Sequence, residues 1–188
     1  MRPIPLIGTQ VVARIAGLLD AKGIPVDRYL ERSRISPRVR EEVVGFVAAR
    51  CVWTLVGETE RGEGLREFWL DIASVADWRR AAWVPPLTHA ATLRDAIRAM
   101  CSSYVRQIPM NELGLTVQGP VAWFWRRRIT DVRGWEGNEP AEMYTLSFML
   151  EVVRAAAGAG WLPERLKVEC SASGWAASMD RFRGVRTQ

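Results

Sequence analysis

The spacing of apolar residues changes along the chain, and this change limits the fold more than any single motif does. In the first half, apolar residues recur every three or four positions, which is typical of amphipathic helices. Helices are predicted on this basis over residues 9–22, 27–31 and 36–57, and from Thr92 to about Tyr104. After about residue 112, segments in which apolar and polar residues alternate lie on either side of one further helical segment. Such alternation is typical of half-buried strands.

Residues that commonly begin and end helices support these boundaries. Thr9 is a possible N-cap of the first helix, and Gly23 follows its end. Because proline at the first helical position loses no hydrogen bond, Ser36-Pro37 predicts another helix start, and Gly57 is predicted to end that helix.

The chain is expected to be a single domain over residues 1–188, as its length suggests. Residues 57–64 are polar and rich in glycine, which predicts a loop. This loop is the one candidate domain boundary, but it is too short to be an interdomain linker. Residues 65–83 are predicted to form short helices, and Thr92 with Asp95 predicts a capped helix start.

Two alternating segments flank a turn and predict a β-hairpin. They cover residues 113–117 and 121–126, with Gly119-Pro120 between them. A long helix is predicted from about residue 138 to about residue 157.

That long helix begins with Asn138 as a possible cap and is apolar on several sides, which is typical of a buried helix. Beyond it, Leu166, Val168 and Cys170 alternate with charged residues and predict a third strand. The expected fold class is therefore α+β, with N-terminal helices followed by a small antiparallel sheet packed on a long helix.

Composition excludes several classes of protein. Hydrophobic residues make up 48% of the chain and charged residues 25%, which is typical of a globular domain and not of a disordered chain. No run is long and apolar enough to predict a transmembrane helix, and the N-terminus does not resemble a signal peptide. Three cysteines far apart, Cys51, Cys101 and Cys170, favour buried reduced thiols, so a cytoplasmic protein without membrane contact is expected.

The net charge of +5 does not by itself predict nucleic-acid binding. The 26 basic residues are scattered along the chain, and the clearest clusters are residues 126–128 and the arginines at 181, 183 and 186. Such runs are usually solvated faces, so DNA binding by this chain alone is not expected.

Residue sets that carry catalysis are missing from the sequence. His89 is the single histidine, and no nucleophile turn, phosphate-binding loop or metal-ligand spacing accompanies it. The acidic pairs Glu41-Glu42 and Glu58/Glu60 are expected on surfaces. No enzyme activity, cofactor or metal is predicted.

Aromatic residues in the hairpin and the long helix suggest a binding pocket. Trp123 and Trp125 share one strand face with Val121, and such a face either fills a core or lines a cavity. Tyr144 and Phe148 are candidates for the opposing wall. Arg127 lies on the tryptophan face, where it is either a solvated strand end or the partner of a carboxylate effector. The candidate effector-binding residues are therefore Trp123, Trp125, Arg127, Tyr144 and Phe148.

Four segments resemble one known family. Residues 18–24, with Tyr29-Leu30, resemble its first helices, and residues 91–97 resemble its "apolar-Thr-Leu-Arg-Glu-Ala-Leu" helix start. Residues 141–158 followed by 160–166 have its order of long helix, glycine, Trp-x-Pro and strand. This order is similar to the N-terminal effector-binding domain of AraC-type transcriptional regulators, in the arabinose-binding-like branch.

The resemblance implies a domain that binds a small-molecule effector and forms a homodimer. DNA would be contacted only through a C-terminal pair of helix-turn-helix motifs, which this chain does not contain. The chain is therefore expected to be either a piece of a regulator or a natural protein that lost its DNA-binding half. The alternative is a stand-alone interaction protein that pairs with related regulators. The family itself does not assign the five candidate residues.

Overall fold

Helices and small two-stranded sheets, two antiparallel and one parallel, build the described part of the chain, which confirms the α+β class. The structure, a computed structural model, describes residues 4–41, 44–65, 69, 90–132, 134–168 and 185–187. In chain order the elements are β1 (Leu6–Gly8), α1 (Thr9–Ala21), α2 (Val26–Arg32), a 3-10 turn (Pro37–Arg40), β2 (Phe46–Ala48), α3 (Ala49–Glu63), α4 (Leu93–Gln107), β3 (Asn111–Gln118), β4 (Val121–Arg128), α5 (Asn138–Ala157), β5 (Arg165–Leu166) and β6 (Arg186–Thr187).

The predicted helices α1, α2, α4 and α5 are confirmed, with boundaries within three residues of the predicted ones. At the start of α4, the Thr92 hydroxyl accepts a hydrogen bond from the Asp95 backbone N–H at 3.1 Å, as predicted. Helix α1 differs in detail, because Gly8 is its N-cap and Thr9 is the first helical residue. The Thr9 side chain instead donates to the Gly45 carbonyl at 3.4 Å, so it holds the chain that leads into β2.

The prediction of one helix over residues 36–57 is wrong. Within this segment, Pro37–Arg40 forms a short 3-10 turn and Phe46–Ala48 pairs antiparallel with Leu6–Gly8. Residues 49–57 are helical as predicted, but they belong to α3, which begins only at Ala49. A strand of three residues is too short to reveal a period of two. Its pairing partner lies about forty residues earlier in the chain, and no local pattern reports such a partner.

The polar segment 57–64 is also not a loop. Helix α3 continues through it to Glu63, and Gly64, with φ of +67°, provides the left-handed C-cap. Gly57 lies inside the helix where α3 meets the chain before α5, and a Cβ there would lie 2.7 Å from the Gly137 nitrogen. The glycine therefore marks a close contact between two segments, and the candidate domain boundary is removed.

The hairpin β3–β4 is confirmed, with Gly119 at its turn. Its register pairs Leu113 with Arg126, Leu115 with Phe124 and Gly114 with Trp125. Since side chains alternate along a strand, this register places Phe124 and Arg126 on one face of the hairpin and Trp125 on the other.

The third strand is much shorter than predicted. Of its described residues, which end at Val168, only Arg165–Leu166 pair in a ladder, and they pair in parallel with Arg186–Thr187 in a sheet separate from the hairpin. Cys170 and His89, and most of the predicted helical segment 65–83, lie outside the described residues.

One apolar core joins the helices of the described chain. All five helices contribute buried residues to it. Its fully buried members include Leu19, Leu30, Leu55, Met100 and Phe148. Among the described residues, no helix has the length and apolar character needed to cross a membrane.

Candidate functional site

The two faces of the hairpin have opposite roles. On the inner face, Arg126 and Arg128 both form ion pairs with Glu142 of α5, and only 10% of the Glu142 side chain is exposed. On the outer face, the Arg127 side chain is 70% exposed. Arg126 and Arg128 therefore face the long helix, whereas Trp123, Trp125 and Arg127 lie on the opposite face of the strand.

The tryptophans do not form one pocket with Tyr144 and Phe148, and the expectation that all five candidates line a single cavity is corrected. Trp125 lies across Gly114 of the neighbouring strand, and its indole N–H donates to the Thr116 hydroxyl at 3.0 Å. The Lys167 ammonium lies 5.4 Å from the Trp123 ring centroid. Neither tryptophan is buried, so the alternative that they fill the core is also wrong.

Arg127 already has a carboxylate partner in the folded chain. Its Nε donates to Glu112 Oε2 at 2.9 Å, and Glu112 is its register partner across the hairpin. The exposed pair fits the interpretation of Arg127 as a solvated strand end.

Tyr144 and Phe148, by contrast, lie together at the wall of a small cavity. Phe148 stacks on Tyr104 of α4, with ring centroids 6.1 Å apart and planes inclined by 26°. The Tyr104 hydroxyl accepts a hydrogen bond from Asn111 Nδ2 at 3.3 Å, which fixes its ring. The complete lining is Val11, Tyr104, Ile108, Tyr144, Thr145 and Phe148.

The cavity brings together three helices that are distant in sequence. Val11 belongs to α1, Tyr104 to α4 and Tyr144 to α5. The space that the centre of a water molecule can occupy in it is about 10 Å³, which is room for about one water. A larger molecule would therefore enter only if the surrounding side chains move.

Arg14 brings a positive charge close to this cavity, although it is not one of the lining residues. It lies one helical turn after Val11, on the same side of α1. Its Nε, Nη1 and Nη2 atoms are all shielded from solvent, and within the described part of the chain they have no hydrogen-bond partner. Buried guanidinium groups are normally paired, so this one is an exception that requires an explanation.

Arg14 and Tyr144 influence each other electrostatically. Burial raises the pKa of the Tyr144 phenol above its ordinary value of 10.0, and the positive charge of Arg14 opposes part of that shift. Part of the Tyr144 side chain remains exposed, but its hydroxyl lies in a desolvated environment. The charge of Arg14 therefore acts on a residue of the cavity wall, the Tyr144 phenol.

The inner face of the hairpin is held to α5 by a second polar cluster. Besides Glu142, Arg128 contacts Asn138, and its Nη1 donates to Asn138 Oδ1 at 2.7 Å. Trp53 Nε1 donates to the same oxygen at 3.5 Å. The sequence predicts Asn138 as the cap of α5, but the N-cap is Gly137 and Asn138 is the first helical residue. The Asn138 side chain instead accepts the two tertiary hydrogen bonds from Arg128 and Trp53.

Two of the three cysteines can be placed. Cys51 and Cys101 are free thiols and are half-buried, so they are more exposed than predicted. Burial raises the pKa of the Cys101 thiol, so at neutral pH it stays protonated and is a weak nucleophile. Among the residues described, no group of His, Cys, Asp and Glu could hold a metal ion.

Sequence reasoning identified Tyr144 and Phe148 but missed Arg14. A signal was present, because Arg14 borders the apolar stripe of α1 between Val11 and Leu18. Such a residue is usually a solvated flank, and only the packing of α1 shows that its nitrogens are buried.

Comparison with known proteins adds no family assignment. Neither a scan against protein-family models nor a search of curated proteins found a match to this chain.

Proposed function

We propose that this chain is the ligand-sensing and dimerisation domain of an AraC-type transcriptional regulator, and that it has no catalytic role. The observation that carries the proposal is the aromatic cavity where α1, α4 and α5 meet. Cavities with apolar and aromatic walls and a few polar groups are the usual sites for small ligands.

The segments that resemble the family support the same location. Residues 91–97 lead into α4, and residues 141–146 lie in α5, so two of the similar segments belong to helices that line the cavity. Residues 18–24 cover the end of α1. The resemblance and the cavity thus concern the same three helices.

The size of the cavity suggests how sensing would work. A ligand larger than water must displace side chains of α1, α4 or α5, so it would bind one arrangement of these helices better than another. It can bias an attached DNA-binding unit only by this difference in affinity. DNA contact would come from a helix-turn-helix unit outside this chain, in a cytoplasmic homodimer.

Native mass spectrometry of protein purified gently from its own host tests the proposal directly. We expect a dimer that carries an additional discrete mass. A ligand-free dimer would favour the interaction protein instead, and a ligand-free monomer would contradict both functions.

Filling the cavity provides the matched test. Ile108→Phe adds a ring at the cavity wall and should abolish the retained mass. Val105→Phe is the control, because Val105 lies one turn earlier on α4 and is exposed. If both folded variants retain the ligand equally, the cavity is not the sensor site.

A further inference from the structure

We infer that the cavity beside Arg14 binds a small monocarboxylate, with the Arg14 guanidinium as the partner of its charge. The inference rests on the proposed sensor function and names the chemical class of the effector. It does not involve Arg127, the arginine that the sequence suggested.

The first step is the cost of the buried charge. Hydrogen-bonding groups that lose water without gaining a partner destabilise a fold, and the penalty is larger for charged groups. All three nitrogens of Arg14 are in this position within the described residues. The ion pairs of the described chain, such as Arg154 with Glu151 at 2.9 Å, show that arginines here are paired when an acid is close.

The second step is the shape of the required partner. A guanidinium presents a planar fork of N–H donors that matches the two oxygens of a carboxylate. The lining residues carry no charge of their own, so Arg14 brings one positive charge to the site. A single negative charge would be neutralised there, and a doubly charged phosphate would not.

The third step is the remainder of the ligand. The walls beside Arg14 are contributed by Val11, Ile108 and Phe148, with the rings of Tyr104 and Tyr144. These side chains favour a short apolar or aromatic body. The expected effector is therefore a carboxylate on a small hydrophobic group, and free polar acids without such a group should bind less well.

Benzoate and hexanoate, each compared with its neutral amide, are suitable probes. With the whole chain in a thermal-shift and calorimetric titration, we expect both carboxylates to bind and the amides to bind at least about tenfold more weakly, because the amides lack the charge. If neither carboxylate binds better than its amide, the inference is overturned.

Two variants separate Arg14 from the other arginines. Arg14→Met should lower the affinity for benzoate by about 10- to 100-fold, the effect of losing a charged hydrogen-bonding partner. Arg127→Met is the control and should bind benzoate like the wild type, because Arg127 is exposed and pairs with Glu112. Equal affinity of wild type and Arg14→Met would contradict the inference.

The ligand-free protein provides an independent readout. Since Arg14 has no partner inside the described chain, Arg14→Met should melt at a higher temperature than the wild type before any ligand is added. A clear loss of stability in a folded Arg14→Met would show that the guanidinium has an internal partner and would overturn the inference. If this variant does not fold, Arg14→Lys keeps the charge without the planar fork, and it should still weaken benzoate binding but not amide binding.

The outcomes also distinguish this inference from the proposed function. The amides could bind as well as the carboxylates while Ile108→Phe still blocks binding. That result would support the sensor function and contradict the inference that the effector is a carboxylate. No retained mass from the host and no binding of either probe class would remove both.

Discussion

Gly137 occupies a position that a side chain could not. Its φ is +76°, and a Cβ would collide with the carbonyl oxygen of Trp53 in α3. Gly134 has a similar φ of +79°, but nothing lies within 4 Å of its Cβ position. A substitution at Gly134 would therefore test backbone strain alone, whereas one at Gly137 would test strain together with close packing.

We predict that Gly134→Ala costs about 1 kcal/mol of stability, the strain of a left-handed alanine. Gly137→Ala should cost at least about 2 kcal/mol more, because α3 and the start of α5 must also move apart. Urea unfolding of the two variants measures the difference. Equal losses would mean that the contact with Trp53 is unimportant.

Tyr29 joins α2 to the end of α3 through its hydroxyl. The hydroxyl donates to Glu63 Oε1 at 2.5 Å, and this bond, together with burial of the ring, raises the pKa of Tyr29 above 10.0. The unfolded chain therefore loses the phenolic proton first as the pH rises, so the stabilisation is present below pH 10.0 and is lost above it.

Tyr29→Phe should cost about 1 kcal/mol at neutral pH, the net value of a hydrogen bond. It should also lose less stability than the wild type when the pH is raised past 10.0, because the titrating group is gone. Unfolding midpoints measured across this range check both effects. If the unfolding midpoints of the two proteins fall in parallel as the pH rises, the pKa of Tyr29 is not raised in the folded protein.

At the scale of elements, Glu142 decides how the hairpin β3–β4 lies on α5. It is buried between Arg126 and Arg128. Removing one member of a buried charge cluster leaves the others without compensation, so Glu142→Gln should cost about 3–5 kcal/mol. Glu112→Gln removes the exposed partner of Arg127 and should cost less than about 1 kcal/mol.

Equilibrium unfolding monitored by tryptophan fluorescence compares these two variants. A similar small loss for both would indicate that the hairpin is held by apolar contacts, such as those of Leu113 and Phe124, and not by the ion pairs.

At the scale of the whole molecule, the cavity connects helices that are separate in sequence. If benzoate binds as inferred, hydrogen exchange should slow together in α1, α4 and α5 when the ligand is added, because all three contribute to the lining. The hairpin turn at Gly119-Pro120 should exchange at an unchanged rate. Slowing that is confined to the outer face of the hairpin would place the ligand on Trp123 and Trp125 instead.

The elements with strong local periodicity could be predicted from the sequence. The 20-residue helix α5 and the hairpin have the expected positions, because a long segment shows its hydrophobic period and its turn residues within the local sequence. The pair Phe46–Ala48 with Leu6–Gly8 could not be predicted, since three residues show no period and the partner is remote. The class of the fold and the order of its main elements were therefore determined by the sequence alone.

Tertiary packing decided which faces meet. Alternation showed that Trp123 and Trp125 share a face, but not that the arginine face would turn inward to Glu142. Likewise, Tyr144 and Phe148 were visible as one side of a helix, whereas their contact with Tyr104 and the unpaired charge of Arg14 arise only when α1 and α4 pack beside α5. Periodicity shows which face of a helix or strand is apolar. It does not show what covers that face, because the free energy of burying it depends on partners far away in the chain.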